Sequence, residues 1–254
     1  MPTKAKTPPA RMTLAETMSA LERAGSAQTR KTYARHGATG PMFGVSFATL
    51  KTMLKRIGVD HELALALWET GNLDARNLAV KIADPARMST SDLDRWASTQ
   101  FILGCGSFVA HLAVEGPHAR GRADKWLAAS TETKRCSGWT LVAAMAMCDE
   151  TTPDTWFVAR LAELEKSLQA SPNARRQEML SALIAIGGRN TALRKAATAS
   201  AKRIGKVEID HGDTACKTPE VAATLEKTWA HATSKGFESP AAQERARESM
   251  RTRC

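Results

Sequence analysis

Polar capping residues and glycine stops recur along this sequence at intervals of one short helix, and no other feature limits its fold as strongly. Thr13 followed by Glu16 forms a capping box, which opens a helix running to about Ala24. Ser46 opens another, closed by Gly58, and Asp60 caps HELALALWET, closed by Gly71. Asn72 caps LDARNLAVKIA, which Asp84 and Pro85 end. Four later helices are expected to open at Thr152-Pro153, Ser171-Pro172, Thr218-Pro219 and Ser239-Pro240. Proline at the first helical position has no hydrogen bond to lose, and its fixed φ suits the helix. Between these, helical patterns run near 91–99, 100–115, 120–130 and 137–149, and Asn190 caps 191–204.

Apolar spacing agrees with these starts and stops. Leu63, Leu65, Leu67 and Trp68 form one broad apolar face, and Leu73, Leu78 and Ile82 another. Strand signal is nearly absent; KVEIDHGD at 206–213 reads as a short extended segment or a loop. Helix pairs at 46–71, 72–99 and 100–130 give a loose period without a clean repeat. A globular bundle and a superhelix of helix pairs both fit, and the spacing favours the superhelix. The expectation is an all-α protein, an α-α superhelix (solenoid) of helix pairs. A single domain over 12–254 is expected to follow a polar, proline-rich basic arm at 1–11 that reads as disordered.

Hydrophobic residues make up 43% of the 254, enough to bury a core. The net charge of +10 is unevenly placed: Lys+Arg against Asp+Glu is 10 to 3 in residues 1–60, 11 to 14 in 61–169 and 15 to 9 in 170–254. Both ends are therefore basic, which favours a polyanionic partner through counterion release. The five cysteines stand at irregular spacing with no CxxC pair, and no signal sequence is visible, so reduced thiols in a cytoplasm are expected. No apolar run approaches the roughly 20 residues that span a bilayer. The longest, Leu141 to Cys148, is far shorter.

Two basic clusters are the candidate binding residues. In TYARHGATGPMFGVSFATLKTMLKRI (32–57), Arg35 and His36 precede a glycine-rich turn, and Lys51, Lys55 and Arg56 follow on one helix. The second cluster is Arg189, Arg194, Lys195, Lys202, Arg203 and Lys206, with Arg189 directly after Gly187-Gly188. Lys195 and Lys202 are seven apart and share a helix face. On a curved scaffold two such faces would clamp a duplex backbone, giving affinity without sequence information. His211, Asp213 and Cys216 share one loop, but a structural zinc site needs four ligands, so no metal and no cofactor are expected. His61 reads as first-turn helix surface, and His111, inside an apolar helix, as a core residue. No nucleophile elbow, phosphate-binding loop or dinucleotide fingerprint is present.

YARHG (33–37), FGVSFATLK (43–51) and DHELALALWETGNLDARNLAVKIADP (60–85) resemble the DNA alkylation repair family of HEAT-like-repeat DNA glycosylases. KRIGKVEIDHGDTACKTP (202–219) is similar to a subgroup of that family, and the resemblance runs from about residue 12 to 235. It implies an α-solenoid whose concave basic groove holds duplex DNA, and excision of positively charged alkylpurines in active members. In that chemistry aromatic faces attract the cationic base, and a carboxylate stabilises the sugar cation and orients water. The family pattern of Trp, then Asp four residues on, falls on Ile102 and Gly106 within FILGCGSF. Its basic residue falls on Val142 and its second groove tryptophan on Gly188, and no Asp or Glu stands between Arg95 and Val114. Asp149, Glu150 and Trp139 are candidate substitutes.

These readings lead to a DNA-binding member of that family, with base excision reduced, altered or absent. The expected partner is double-stranded DNA, alkylated or branched forms included, bound by a monomer with no membrane association. An active glycosylase using other residues, and a protein-binding solenoid, are the alternatives.

Overall fold

The computed structural model describes residues 11–99, 105–212 and 214–253, and among these every regular element is a helix. The first five are α1 (Leu14–Ala24), α2 (Ala27–Arg35), α3 (Phe47–Ile57), α4 (His61–Glu69) and α5 (Leu73–Ile82). A 3-10 turn (Pro85–Arg87) leads to α6 (Thr90–Trp96), α7 (Cys105–Val114), α8 (Ala119–Leu127), α9 (Glu132–Cys148) and α10 (Asp154–Ser167). Then come α11 (Asn173–Gly187), α12 (Thr191–Ile204), α13 (Val221–Ser234), α14 (Pro240–Arg245) and α15 (Met250–Arg253). The arm expected at 1–11 lies outside the described residues except for Arg11, as does 100–104 of the helical pattern expected over 100–115.

Local chemistry sets most of the starts. Thr13 and Glu16 form the reciprocal capping box, with Thr13 N–H donating to the Glu16 carboxylate at 2.8 Å. Ser46, Asp60, Asn72 and Asn190 each accept a backbone N–H from the first turn of α3, α4, α5 and α12. Each such cap is worth about 1 kcal/mol. Of the four Ser/Thr-Pro pairs only Ser239-Pro240 behaves as expected, with the serine capping and the proline at the first helical position. At α10 and α11 the proline itself is the N-cap, and Thr152 and Ser171 turn their hydroxyls to Asp149 and to the Ser167 carbonyl. At α13 the cap is Glu220, whose carboxylate accepts from Ala222 and Ala223. The N-cap thus falls one residue later than the sequence suggests at α10 and α11, with no side-chain acceptor there, and two residues later at α13. α2, opened by Ser26, has no counterpart in the expected helices.

Consecutive helices pack as α4 on α5 and α8 on α9, and successive layers join α7 to α9, α9 to α11 and α11 to α12. This is an α-α superhelix of stacked helix pairs. Trp68 of α4 lies flat on Trp96 of α6, ring centroids 4.0 Å apart, both buried. α9 approaches α8 closely because residue 138 is glycine: a Cβ there would stand 2.8 Å from the Leu127 nitrogen. Asp74 on α5 is fully buried and accepts the N–H groups of Phe43, Gly44 and Val45 at 2.6, 3.0 and 2.9 Å. That carboxylate fixes the glycine-rich turn before α3. His61 departs from the expected surface position. Asp60 N–H donates to the Ile82 carbonyl at 2.9 Å, so the first turn of α4 meets the end of α5 and His61 is buried.

The last helices fold back over earlier ones. α14 packs on α9 and α13, and α15 on α7, α5 and α3. Arg251 is 5% exposed, pairs with Glu115 at 2.7 Å and donates to the Val80 and Lys81 carbonyls. Lys81, fully buried, returns a hydrogen bond to the Arg251 carbonyl at 2.8 Å, with its ammonium 4.3 Å from the centre of the Phe108 ring. Arg251 answers the orphan carbonyls at the end of α5 and the Glu115 carboxylate just past α7. No helix among the described residues is long and apolar enough to cross a membrane.

Candidate nucleic-acid interface

A cleft of about 1690 Å³ opens along α12, the segment after it and the start of α13. The helix turns Leu193, Ala197 and Ser200 inward, which leaves Lys195 and Lys202 exposed. Gly205, at φ 78°, ends it in a conformation that other residues rarely adopt. The chain then runs extended: Val207 and Ile209 are buried while Lys206, Glu208 and Asp210 are exposed. This alternation is strand-like, yet side chains rather than a neighbouring strand satisfy its backbone. Gln169 donates to the Ile204 and Lys206 carbonyls, Arg176 to the Glu208 carbonyl at 2.6 Å, and Asn173 exchanges two 2.8 Å bonds with Asp210. Arg176, with no distinguishing mark in the sequence, thus both braces the segment and lines the cleft.

Four of the six cations in the second cluster line this cleft: Arg194, Lys195, Lys202 and Lys206. Arg194 lies 4.9 Å over the Trp229 ring, and the indole N–H of Trp229 is tied to the Gly187 carbonyl. Lys206 is raised above the ordinary lysine range by its 2.8 Å hydrogen bond to Glu208, but both are largely exposed and the pair is readily exchanged for another anion. Arg203 is gripped by both oxygens of Glu165 at 2.8 and 2.6 Å. Hydrogen bonds from Arg203 and Ser200 draw Glu165 down to about 2.

Arg189 departs from the expectation of a phosphate contact. It is 9% exposed, and its guanidinium donates to the carbonyls of Met145, Ala146, Asp149 and Thr152 and pairs with Asp154. It closes the α9–α10 junction from within. Lys51 is half-buried and donates to the Arg253 carbonyl at 2.8 Å, so it too is committed to the fold. Arg35 and His36 at the end of α2, and Lys55 and Arg56 in the last turn of α3, are exposed. None of this first cluster lines the cleft.

The positions singled out for chemistry are placed as follows. Ile102 lies outside the described residues, and Gly106 is in the first turn of α7. Val142 is fully buried. The Gly188 carbonyl accepts the Ala241 N–H, and a Cβ at Gly188 would meet Met147 and Pro240 at 3.3 and 3.4 Å. The face at Gly188 is thus covered by α14. Trp139 is buried, and Glu150 pairs with Arg245 at 3.2 Å. Burial works against the Asp149 carboxylate, but hydrogen bonds from Thr152 and Thr151 win and hold its pKa below the usual range. His111 is buried on α7 as expected. In the loop after the cleft, His211 meets the Thr218 hydroxyl at 3.1 Å, Cys216 is exposed, and Asp213 lies outside the described residues.

Comparison with known proteins places this architecture. Residues 17–204 match the family described as DNA alkylation repair enzyme. An uncharacterized protein of Listeria innocua is 26% identical over 209 residues, 78% of this chain and 89% of that protein. One from Listeria monocytogenes is 25% identical over the same shares. A solved structure with TM-score 0.78 and 28% identity covers 90% of this chain and 98% of its own. That protein represents a family described as related to the HEAT-like repeat DNA glycosylases, with affinity for branched DNA structures.

Proposed function

The chain belongs to the DNA alkylation repair enzyme family, and from that premise we propose that it is a DNA-binding member acting on branched DNA. The α12 cleft engages the sugar–phosphate backbone, and base excision is reduced, altered or absent. The observation that carries this reading is the gathering of Arg194, Lys195, Lys202 and Lys206 along one open cleft, while Arg189 and Lys51 are drawn into the fold. Arg35, His36, Lys55 and Arg56 supply a second exposed basic surface for an adjoining arm of the DNA. The affinity described for the solved relative supports branched DNA as the ligand. The apolar or glycine residues at Val142 and Gly188, and the α14 cover over Gly188, support weak or absent glycosylase chemistry.

One experiment tests both halves. Purified protein is titrated into a four-way junction and a matched duplex across a salt series, and incubated in excess with methylated duplex. Binding should favour the junction, its log affinity should fall linearly with log salt, and no free methylpurine should appear. Salt-independent or negligible binding would sink the DNA reading in favour of a protein-binding solenoid. Rapid, complete release of methylpurine would sink the claim of weakened excision, and slow release would place the protein at reduced rather than absent.

A further inference from the structure

The α12 cleft holds more than phosphate chemistry requires. Its α12 wall carries Lys195 and Lys202 and no acidic residue. Its floor is apolar, made of Leu180, Val207, Ile209, Val221 and Leu225, which are buried or nearly so. The start of α13 contributes Glu220 and Glu226. Glu220 is occupied in capping α13; Glu208 and Asp210 of the extended segment also line the cleft, but Glu208 pairs with Lys206 and Asp210 accepts the Gly212 N–H, whereas Glu226 is exposed on the α13 wall. A paired duplex presents phosphates outward on all sides, so it has no use for a greasy floor and is repelled by the carboxylates. An unpaired strand offers phosphates along one edge, flat base faces, and free pairing edges that carry amino groups on adenine, cytosine and guanine but not on thymine.

We propose that the cleft takes an unpaired stretch of DNA at a branch point, with phosphates on the α12 lysines, base faces on the Val207–Ile209 floor, and Glu226 accepting from an exocyclic amino group. The inference rests on the reading of the cleft as a DNA site and names the part of the DNA it takes. At about 1690 Å³ the cleft exceeds the roughly 300–1,000 Å³ of small-molecule sites, which suits a run of nucleotides. The floor is aliphatic and tolerant of any base. Preference therefore enters through the Glu226 carboxylate, which accepts hydrogen bonds and cannot donate them: the adenine amino group meets it freely, whereas the one donor on the thymine edge, N3–H, stands between two carbonyl oxygens that repel it.

The test uses the full chain and three junction probes: fully paired at the branch, carrying an unpaired adenine patch there, or carrying an unpaired thymine patch. The adenine patch should bind tightest, on the order of tenfold over thymine, the size of one hydrogen bond to a charged group. Glu226→Ala should bring the two patches to equal affinity. Lys195→Ala/Lys202→Ala should weaken all three probes. Equal affinity for the paired junction and both patches in the wild-type protein overturns this inference while leaving the DNA site in place. Junction binding untouched by the lysine pair overturns the site itself. Circular dichroism of each variant, all changes being on exposed helix surface, confirms that the helices are intact.

Discussion

Arg189 and Lys195 stand six residues apart in the sequence and belong to different kinds of region. Arg189 is wrapped in the carbonyls that end α9 and precede α10, and Lys195 faces an open cleft. The same contrast separates the two ends of the molecule: Lys51, Lys81 and Arg251 knit α15 to α3, α5 and α7, while the cations of α12 mostly face out. A net charge of +10 therefore overstates what a polyanion meets. Part of it neutralises helix ends and a carboxylate inside the fold, where long-range attraction is not its role.

The strongest way to break this comparison is to remove an inward cation. Arg251→Ala leaves two α5 carbonyls without the guanidinium that donates to them and Glu115 with the Ser249 hydroxyl but no charged partner. Loss of one partner of a buried pair costs 3–5 kcal/mol, and since Glu115 keeps some exposure about 3 kcal/mol is expected. Urea unfolding reads the loss directly, and the salt dependence of DNA binding should not move. An unchanged unfolding midpoint would mean that α15 is not part of the fold's cohesion.

Removing outward cations should do the reverse. Lys195→Ala/Lys202→Ala deletes two exposed side chains, so stability should stay within about 0.5 kcal/mol. The slope of log affinity against log salt should become shallower by about two, one unit for each lost phosphate contact. Fluorescence anisotropy at several salt concentrations reads both slope and affinity. A slope that persists would move the DNA site off α12.

A smaller effect comes from His111, beneath α15. Burial lowers its pKa below the ordinary 6.5, outweighing Glu115 and Glu244 nearby. A histidine held neutral in the fold contributes stability that is complete above its unfolded pKa and is lost as pH falls below it. The thermal midpoint should therefore drop between about pH 7 and about pH 5, and His111→Asn should flatten that drop. A wild-type and variant falling in parallel would assign the acid sensitivity to other groups.

How much of this was legible in the sequence follows the range of the interactions. Caps act within three residues, and Thr13, Ser46, Asp60, Asn72 and Asn190 all stand where their residue types predict. α2 was hidden because AQTRKTYAR buries only Tyr33, so it has no apolar stripe to read. The extended segment at 206–210 showed its alternation, but its backbone partners are side chains on α11 and in the turn before it, more than 30 residues away. The inward cations were illegible for the same reason: Arg189 bonds to a carbonyl 44 positions away and Lys81 to one 170 positions away. Lys195 and Lys202 could be paired by helical spacing alone, but the cleft they face is assembled by chain that follows them.

The most delicate test of the comparison uses thiols already in the chain. Burial pushes Cys136 up to about 12 and Cys148 to about 11, so at neutral pH both are protonated and poorly nucleophilic. Cys216 is exposed and lies two residues before Thr218, which lines the cleft. Among these three, an alkylating reagent followed by peptide mass spectrometry should modify Cys216 first. Bound junction DNA should then slow Cys216 by a few-fold and leave the two slow thiols as they were, because only the cleft side is covered. Protection of Cys148 instead, on the helix that α14 packs against, would put the DNA on the face that the folded-back helices occupy and would reverse the assignment of inward and outward charge.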